Sequence, residues 1–383
     1  MRKTLVALMA VALATAAFAQ EEGPVSASVA NQPKGYTAAI VIEPTTGRVL
    51  FEDNADTPLP TASMAKMMTL LITMDEIKAG NLHYDTPVTI SARASRMGGS
   101  QVYLRAGSVW PVKNLLIATM VHSANDAAAA LAEKIGGSNE SFAEMMNAKA
   151  EELGCKHSHF NDPHGLPPSD PKMNNVMSAR DLAILGQALM KYGFMRQLAV
   201  VPEMEFRNGT LQRIYNPNRL LRFYEGATGI KTGYSGPAGF SVTASARRNG
   251  MDLVCVVMGA KTSRGPASSF EIAALLMNRA FTGFKMVTPV TQGSVVGQAQ
   301  VTEGRASSVP VVAPQDVKAL VKRGEEKGVS VKFNGNAITA PVKKGQRIGT
   351  IVVSRGNETL ATMPAVAGQD VAKQSWWKSF LPF

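Results

Sequence analysis

The sequence predicts an α+β protein: an antiparallel sheet flanked by helices, carrying a helical insert and followed by a small all-β unit. Three observations predict it. β-rich runs stand near both ends of the stretch from about 36 to 284, with helical patterning between them. Composition then changes at "VTPVTQGSVVG" (287–297), beyond which short β runs alternate with Gly, Pro and Asn turns. The 383 residues, 45% hydrophobic and 18% charged, are enough for two or three domains with a sizeable core.

The first residues read as a targeting segment. Arg2 and Lys3 precede the apolar "TLVALMAVALATAAFA", which ends in the A-x-A site Ala17-Phe18-Ala19. Residues 1–19 are therefore expected to be a signal peptide, placing the mature chain in a periplasm. "YTAAIVIEPTTGRVLFED" reads as a hairpin turning at Pro and Gly. A helix runs from Ala62 towards Lys78 with Gly80 past its end, and another begins near Pro111. "SFAEMMNAKAEELG" and "SARDLAILGQALMKYG" are further helices closing on Gly. Strands return at "GIKTGY", "GFSVTASARR" and "DLVCVVMGAK", and a helix follows over 268–281. The expected division is 30–284 for the first domain, 290–366 for the β-rich domain and 368–383 for a tail.

Net charge is +11, which suits anionic partners such as lipid headgroups or acidic wall polymer, or is a solvated basic surface. No Lys/Arg block interleaved with aromatics points to nucleic acid. Cys155 and Cys255 form no disulfide framework. Export would permit a bridge, but Cys255 sits in the strand-like run "DLVCVVMG" and Cys155 follows a helix, which suits two buried thiols. "CKHSHFNDPH" gathers Cys155, His157, His159, Asp162 and His164, without a recognised zinc-ligand spacing.

The chemistry-bearing stretch is "LPTASMAKMMTLL". Ser63 and Lys66 form S-x-x-K, and on a helix residues i and i+3 share a face. A free Ser is a weak nucleophile and needs a base. Lys serves as that base when burial or a second cation lowers its pKa. S-x-x-K recurs at Ser169–Lys172, in a Pro-rich loop, and at Ser375–Lys378, in the tail, so the motif alone decides nothing. Ser123-Ala124-Asn125 precedes an apolar helical run, where Ser and Asn could cap the helix or project into a cleft. Lys231-Thr232-Gly233 lies in a strand whose edge could bind a carboxylate, Gly233 allowing close backbone approach. The plainer reading is an edge strand protected by Lys.

S-x-x-K, S-x-N and K-T-G in this order resemble the penicillin-interacting serine enzymes. More specifically, "TASMAKMMT", "SANDAAAALAE", "FNDPHGL", "SARDLA", "GIKTGY" and "SARRNG" are similar to the low-molecular-mass D-alanyl-D-alanine carboxypeptidases of peptidase family S11, over roughly residues 34–283. The resemblance implies a β-lactamase/transpeptidase-like fold and no metal or other cofactor. It implies that Ser63 attacks the terminal D-Ala-D-Ala bond of the peptidoglycan stem pentapeptide while Lys66 takes its proton. Ser123 would pass a proton to the leaving amine, and Asn125 would orient the substrate amide. Lys231 and Thr232 would hold the terminal carboxylate beside Gly233, and the N–H groups of Ser63 and Tyr234 would form the oxyanion hole. β-Lactams would acylate Ser63 as covalent inhibitors. Ala124 replaces the commoner Gly, and Pro266 stands where relatives often carry Arg, with Arg264 nearest. Alternative readings are a D,D-endopeptidase, a class A-like β-lactamase and a non-catalytic wall-binding protein. On a helical wheel the tail gathers Trp376, Trp377, Phe380, Leu381 and Lys373 on one arc, suggesting peripheral attachment to the inner membrane.

Overall fold

The computed structural model describes residues 35–206, 213–265 and 268–374. The signal segment and most of the amphipathic tail lie outside them. Five strands form one antiparallel sheet: β1 (Ala38–Glu43), β2 (Arg48–Asp53), β3 (Ala227–Ser235), β4 (Gly239–Arg248) and β5 (Met251–Ala260), in the order β2-β1-β5-β4-β3. The hairpin turn β1–β2 is tied by the buried carboxylate of Glu43, which accepts from the N–H groups of Thr45 and Thr46 and from Thr46 Oγ1.

Strand β1 is buried along its whole length because both faces of the sheet are covered. Ala38, Ile40 and Ile42 pack into one core with the helices of the insert. Ala39 and Val41 pack into a second core against helix α6 (Ser269–Gly283). The insert supplies α1 (Lys66–Ala79), α2 (Val112–Val121), α3 (Asn125–Gly136), α4 (Asn139–Glu152) and α5 (Ala179–Leu189). Ser138, Ser178 and Ser268 cap α4, α5 and α6 through side-chain oxygens. Helix α1 is buried from Lys66 to Met74, its Thr69 and Thr73 hydroxyls bonded to the carbonyls of Pro163 and Thr69, as a helix surrounded by other elements must be. It ends on Gly80, which takes the left-handed conformation at φ 82°.

The helix expected from Ala62 begins instead at Lys66, after a tight 3-10 turn over Ala62–Ala65. Ala62 has φ 45°, outside the helical region, so regular winding cannot start before it. Ser63 lies within this turn, where i and i+3 side chains eclipse. From Thr61 to Met74 it is the single residue not buried.

A segment between α4 and α5 crosses the front of this turn, held by two side-chain amides. Asn147 on α4 accepts from Phe160 N and donates to Phe160 O, each at 2.8 Å. Asn175 accepts from Asn161 N at 2.7 Å and Asp162 N at 3.1 Å, and donates to Asp162 O at 2.8 Å. These amides substitute for strand pairing that the loop backbone lacks.

The second unit begins where α6 passes into β6 (Phe284–Val290). The strands that follow are β7 (Val295–Thr302), β8 (Ser308–Val312), β9 (Val317–Lys322), β10 (Val329–Asn334), β11 (Ile338–Thr339), β12 (Arg347–Arg355) and β13 (Glu358–Ala367). Strand β6 pairs with β9; the others form a sheet in the order β10-β12-β13-β8-β7-β11 around a core rich in Val and Ala.

The chain continues in this unit past Ala367 instead of entering a helical tail. Val371 exchanges both backbone hydrogen bonds with Val342, and Gln374 N donates to Glu303 O. Lys373, expected on the tail's helical arc, is extended and ion-paired with Glu303 at 2.9 Å. Val371 is the physical reason, since its burial against Val342 requires extended chain.

Cys155 and Cys255 are both buried unpaired thiols. They lie in different cores on opposite faces of the main sheet.

Replacing Asn175 with Ala strands three backbone partners. Urea unfolding should show a loss of about 2–4 kcal/mol, at about 1–3 kcal/mol per orphaned buried group with partial rehydration.

Candidate active site

The side chains singled out from three distant stretches converge between the sheet and the insert. Lys66 Nζ donates to Ser63 Oγ at 2.8 Å and to the carbonyl oxygen of His164 at 2.7 Å. Lys231 Nζ donates to Ser123 Oγ at 2.7 Å and to its neighbour Thr232 O at 3.3 Å. Both lysines are buried, Lys66 at 0% and Lys231 at 2% exposure.

Burial disfavours the charged form of an amine. It holds Lys66 well below the ordinary lysine value, and the charge of Lys231 lowers it further; Asp162 and Asp126 oppose the shift. Lys231 is lowered to about 7 by burial. Gly233, two residues from Lys231 on the same strand, packs on Thr61, Ala62 and Met64 around Ser63, which brings the two pairs into one constellation of Ser63, Lys66, Ser123 and Lys231.

Each member is placed by local backbone geometry. Ser123 has φ 62°, which turns it out of line between α2 and α3. Ala124 has φ −64°, open to any L-residue, so replacing the commoner Gly costs nothing there. Neither Ser123 nor Asn125 caps α3; Ala124 occupies the cap position without a side-chain bond. Asn125 N donates to Ser100 O and Asn125 Nδ2 to Gly98 O, both at 2.7 Å.

Lys231, Thr232, Gly233 and Tyr234 lie on β3, the edge strand of the sheet. A Cβ on Gly233 would sit 2.6 Å from Thr61 O and 3.1 Å from Met64 Cγ, so only glycine lets the strand lie against the Ser63 turn. Tyr234 is exposed and stacks on Phe240, with ring centroids 4.2 Å apart. Arg264 is exposed, with its N–H on Thr262 Oγ1; Pro266 lies outside the described residues.

Residue-type reasoning missed the third support. The His164 carbonyl reaches Lys66 because Gly165, at φ 76°, lies against Ala62. Any Cβ at 165 would fall inside the Ala62 carbonyl group. Asp162 holds this loop by accepting from His164 N at 2.8 Å and Gly165 N at 2.5 Å. Burial works against its ionisation but is outweighed by His164 and these N–H groups, leaving its pKa below the usual value. The signal was present in "FNDPHGL", yet a backbone carbonyl has no residue-type signature.

The Cys/His-rich stretch is spent on other contacts. Cys155 Sγ faces Asp181 O, and His157 N and Ser158 Oγ donate to the Asp181 carboxylate. Among the described residues no group of three or more His, Cys, Asp and Glu is disposed to hold a metal ion.

Residues 27–262 match the peptidase S11 family model, described as D-alanyl-D-alanine carboxypeptidase. The chain belongs to this family. Residues 284–373 match the C-terminal domain of penicillin-binding protein 5. This chain is 34% identical to the D-alanyl-D-alanine carboxypeptidase DacF of Bacillus subtilis, over 96% of its own length and 93% of the relative. It is 32% identical to DacC of Escherichia coli, over 87% and 84% respectively. Penicillin-binding protein 5 from Haemophilus influenzae superposes with a TM-score of 0.75 at 28% identity, covering 90% of this chain and all of that one. This S11 member is thus a hydrolase of the D-Ala-D-Ala carboxypeptidase class, with a penicillin-binding protein fold and an all-β C-terminal domain.

The two buried lysines also set a pH dependence of stability. Their folded pKa values lie below the unfolded value of about 10.4, so above pH 7 the unfolded chain binds more protons. Stability therefore rises with pH, by about 1.4 kcal/mol per pH unit for each such proton. Below the folded values both states carry the proton and the dependence levels off. The buried thiols, whose pKa values are raised, act in the opposite sense only above about pH 8.5. Urea unfolding should show higher stability at pH 8.5 than at pH 7, and Lys66→Met should flatten the slope.

Proposed function

We propose that this enzyme removes the terminal D-Ala from peptidoglycan pentapeptides through an acyl-enzyme on Ser63. The observation that carries the reading is the pairing Ser63–Lys66 with Lys66 fully buried and hydrogen-bonded to the His164 carbonyl. A neutral Lys66 amine takes the Ser63 proton as Oγ attacks the carbonyl of the D-Ala–D-Ala bond. The N–H groups of Ser63 and Tyr234 receive the developing oxyanion. Collapse of the tetrahedral adduct breaks the C–N bond, and Ser123, held by Lys231, relays a proton to the departing amine. Lys231 and Thr232 receive the substrate's terminal carboxylate, Gly233 lets its backbone approach, and Asn125 orients its amide. Water then attacks the ester, releasing the shortened peptide and restoring the Ser63 hydroxyl. A β-lactam follows the first half of this course and stays attached.

The class A-like β-lactamase reading is disfavoured by α4. That chemistry needs a Glu placed to activate the deacylating water; Glu144, the one loosely similar in its spacing to Asn147, is exposed, and Asn147 is committed to Phe160. Intact Ser63 and Lys66 argue against a non-catalytic binder. Endopeptidase action on D-Ala cross-links uses the same chemistry and remains a secondary activity in this reading.

Export by residues 1–19 would place the enzyme in a periplasm, beside its wall substrate. No helix among the described residues is long and apolar enough to cross a membrane. The membrane-facing part of the proposal therefore rests on residues 375–383, with Trp376, Trp377, Phe380 and Leu381.

Mass spectrometry of a pentapeptide incubated with the mature enzyme should show loss of one alanine. Lys66→Ala should lower acylation by labelled penicillin by about 10²–10⁴-fold while keeping a cooperative melt; near-normal labelling would remove Lys66 from the mechanism. Truncation after Gln374, which spares the Val371–Val342 pairing, should move the protein from the membrane to the soluble fraction with activity retained. Unchanged fractionation would defeat the anchor.

A further inference from the structure

Asp126 follows the S-x-N motif and belongs to no step above. It is fully buried at the start of α3. Its carboxylate accepts from Ala127 N at 2.9 Å, which is ordinary for a helix start. It also reaches out of the helix to a turn more than twenty residues earlier, accepting from Val102 N at 3.2 Å and Leu104 N at 3.0 Å. Between those two residues Tyr103 is forced to φ 56°, rare for a bulky side chain. The turn is thus wound around this carboxylate.

The other end of the same turn grips Asn125. Gly98 O accepts Asn125 Nδ2, Ser100 O accepts Asn125 N, and Ser100 Oγ donates to His122 O at 2.7 Å. Asn125 Oδ1 is buried without a hydrogen-bond partner among the described residues. A terminal amide can rotate by half a turn at little steric cost. A carbonyl oxygen only accepts, so Gly98 O is what dictates which way the Asn125 amide faces. Gly99 lies directly against that amide: at φ 70°, a Cβ there would stand 2.8 Å from Asn125 Nδ2 and 3.0 Å from Leu166 Cδ2.

We infer that Asp126 is a positioning residue for the D-Ala-D-Ala reaction: by anchoring the turn 98–104 it fixes the orientation of the Asn125 amide that receives the substrate. The inference rests on the substrate role proposed for Asn125. An ordinary helix-start aspartate would act on α3 alone, whereas this one is coupled to the cleft through Val102, Leu104 and the Gly98 carbonyl.

The test is the second-order rate constant for acylation of the mature chain by a fluorescent penicillin, in a double-mutant cycle. Asp126→Asn keeps the shape but replaces one acceptor oxygen with a donor facing backbone N–H groups. It should lower the constant by about 10- to 100-fold, the scale of a misplaced contact group. Gly99→Ala presses on the amide from the exposed side of the turn and should act alike; it decides the matter if Asp126→Asn does not fold. In an Asn125→Ala background, where the positioned group is gone, each change should cost less than about twofold. Losses that persist undiminished in that background overturn the inference while leaving the acyl-enzyme reading intact, as does Gly99→Ala labelling at the wild-type rate. A wild-type chain that takes no label defeats the underlying reading, and this inference with it.

Discussion

A lysine amine with no exposed surface, 2.8 Å from a serine hydroxyl, is the constraint around which the catalytic half is organised. Water would hold that amine protonated and useless as a base. Keeping it neutral requires apolar packing that excludes water, which α1 obtains by being surrounded, and is helped by a second amine nearby, which β3 provides. The sheet, the insert and the loop before α5 each contribute one wall. Removing any wall restores solvent to the amine, so fold stability and chemistry are inseparable at this point.

The walls are joined by close backbone contacts more than by side-chain packing. Gly233 brings β3 against the Ser63 turn, and Gly165 brings the His164 carbonyl over Lys66. The loop carrying His164 has no strand partner along much of its length. Asn147 and Asn175 supply the missing hydrogen bonds, so a segment of irregular backbone becomes a rigid acceptor. Rigidity matters because an acceptor that drifted would let Lys66 swing away from Ser63.

Much of this was legible in the sequence, for identifiable reasons. The hairpin at 36–53, the helices closing on Gly and the late strands follow from hydrophobic period and turn chemistry, which are local properties. Ser63, Lys66, Ser123, Asn125 and Lys231 were legible as residue types in a fixed order. The start of α1 was not, because Ala62 adopts a left-handed conformation with no glycine to announce it. Nor was the part played by His164, whose contribution is a main-chain oxygen, or by Asp126, whose partners lie in a distant turn. Lys373 misled because helical periodicity cannot distinguish a free amphipathic end from a last strand docked on a sheet.

The thiols at 155 and 255 carry a consequence for biogenesis. Since the finished sheet stands between them, no native arrangement allows a bridge. In an oxidising compartment a 155–255 crosslink could form only in a chain still unwound, and it would bar the sheet from closing. In such a compartment productive maturation would be a race: collapse of the two cores must shelter both sulfur atoms before thiol oxidants find them.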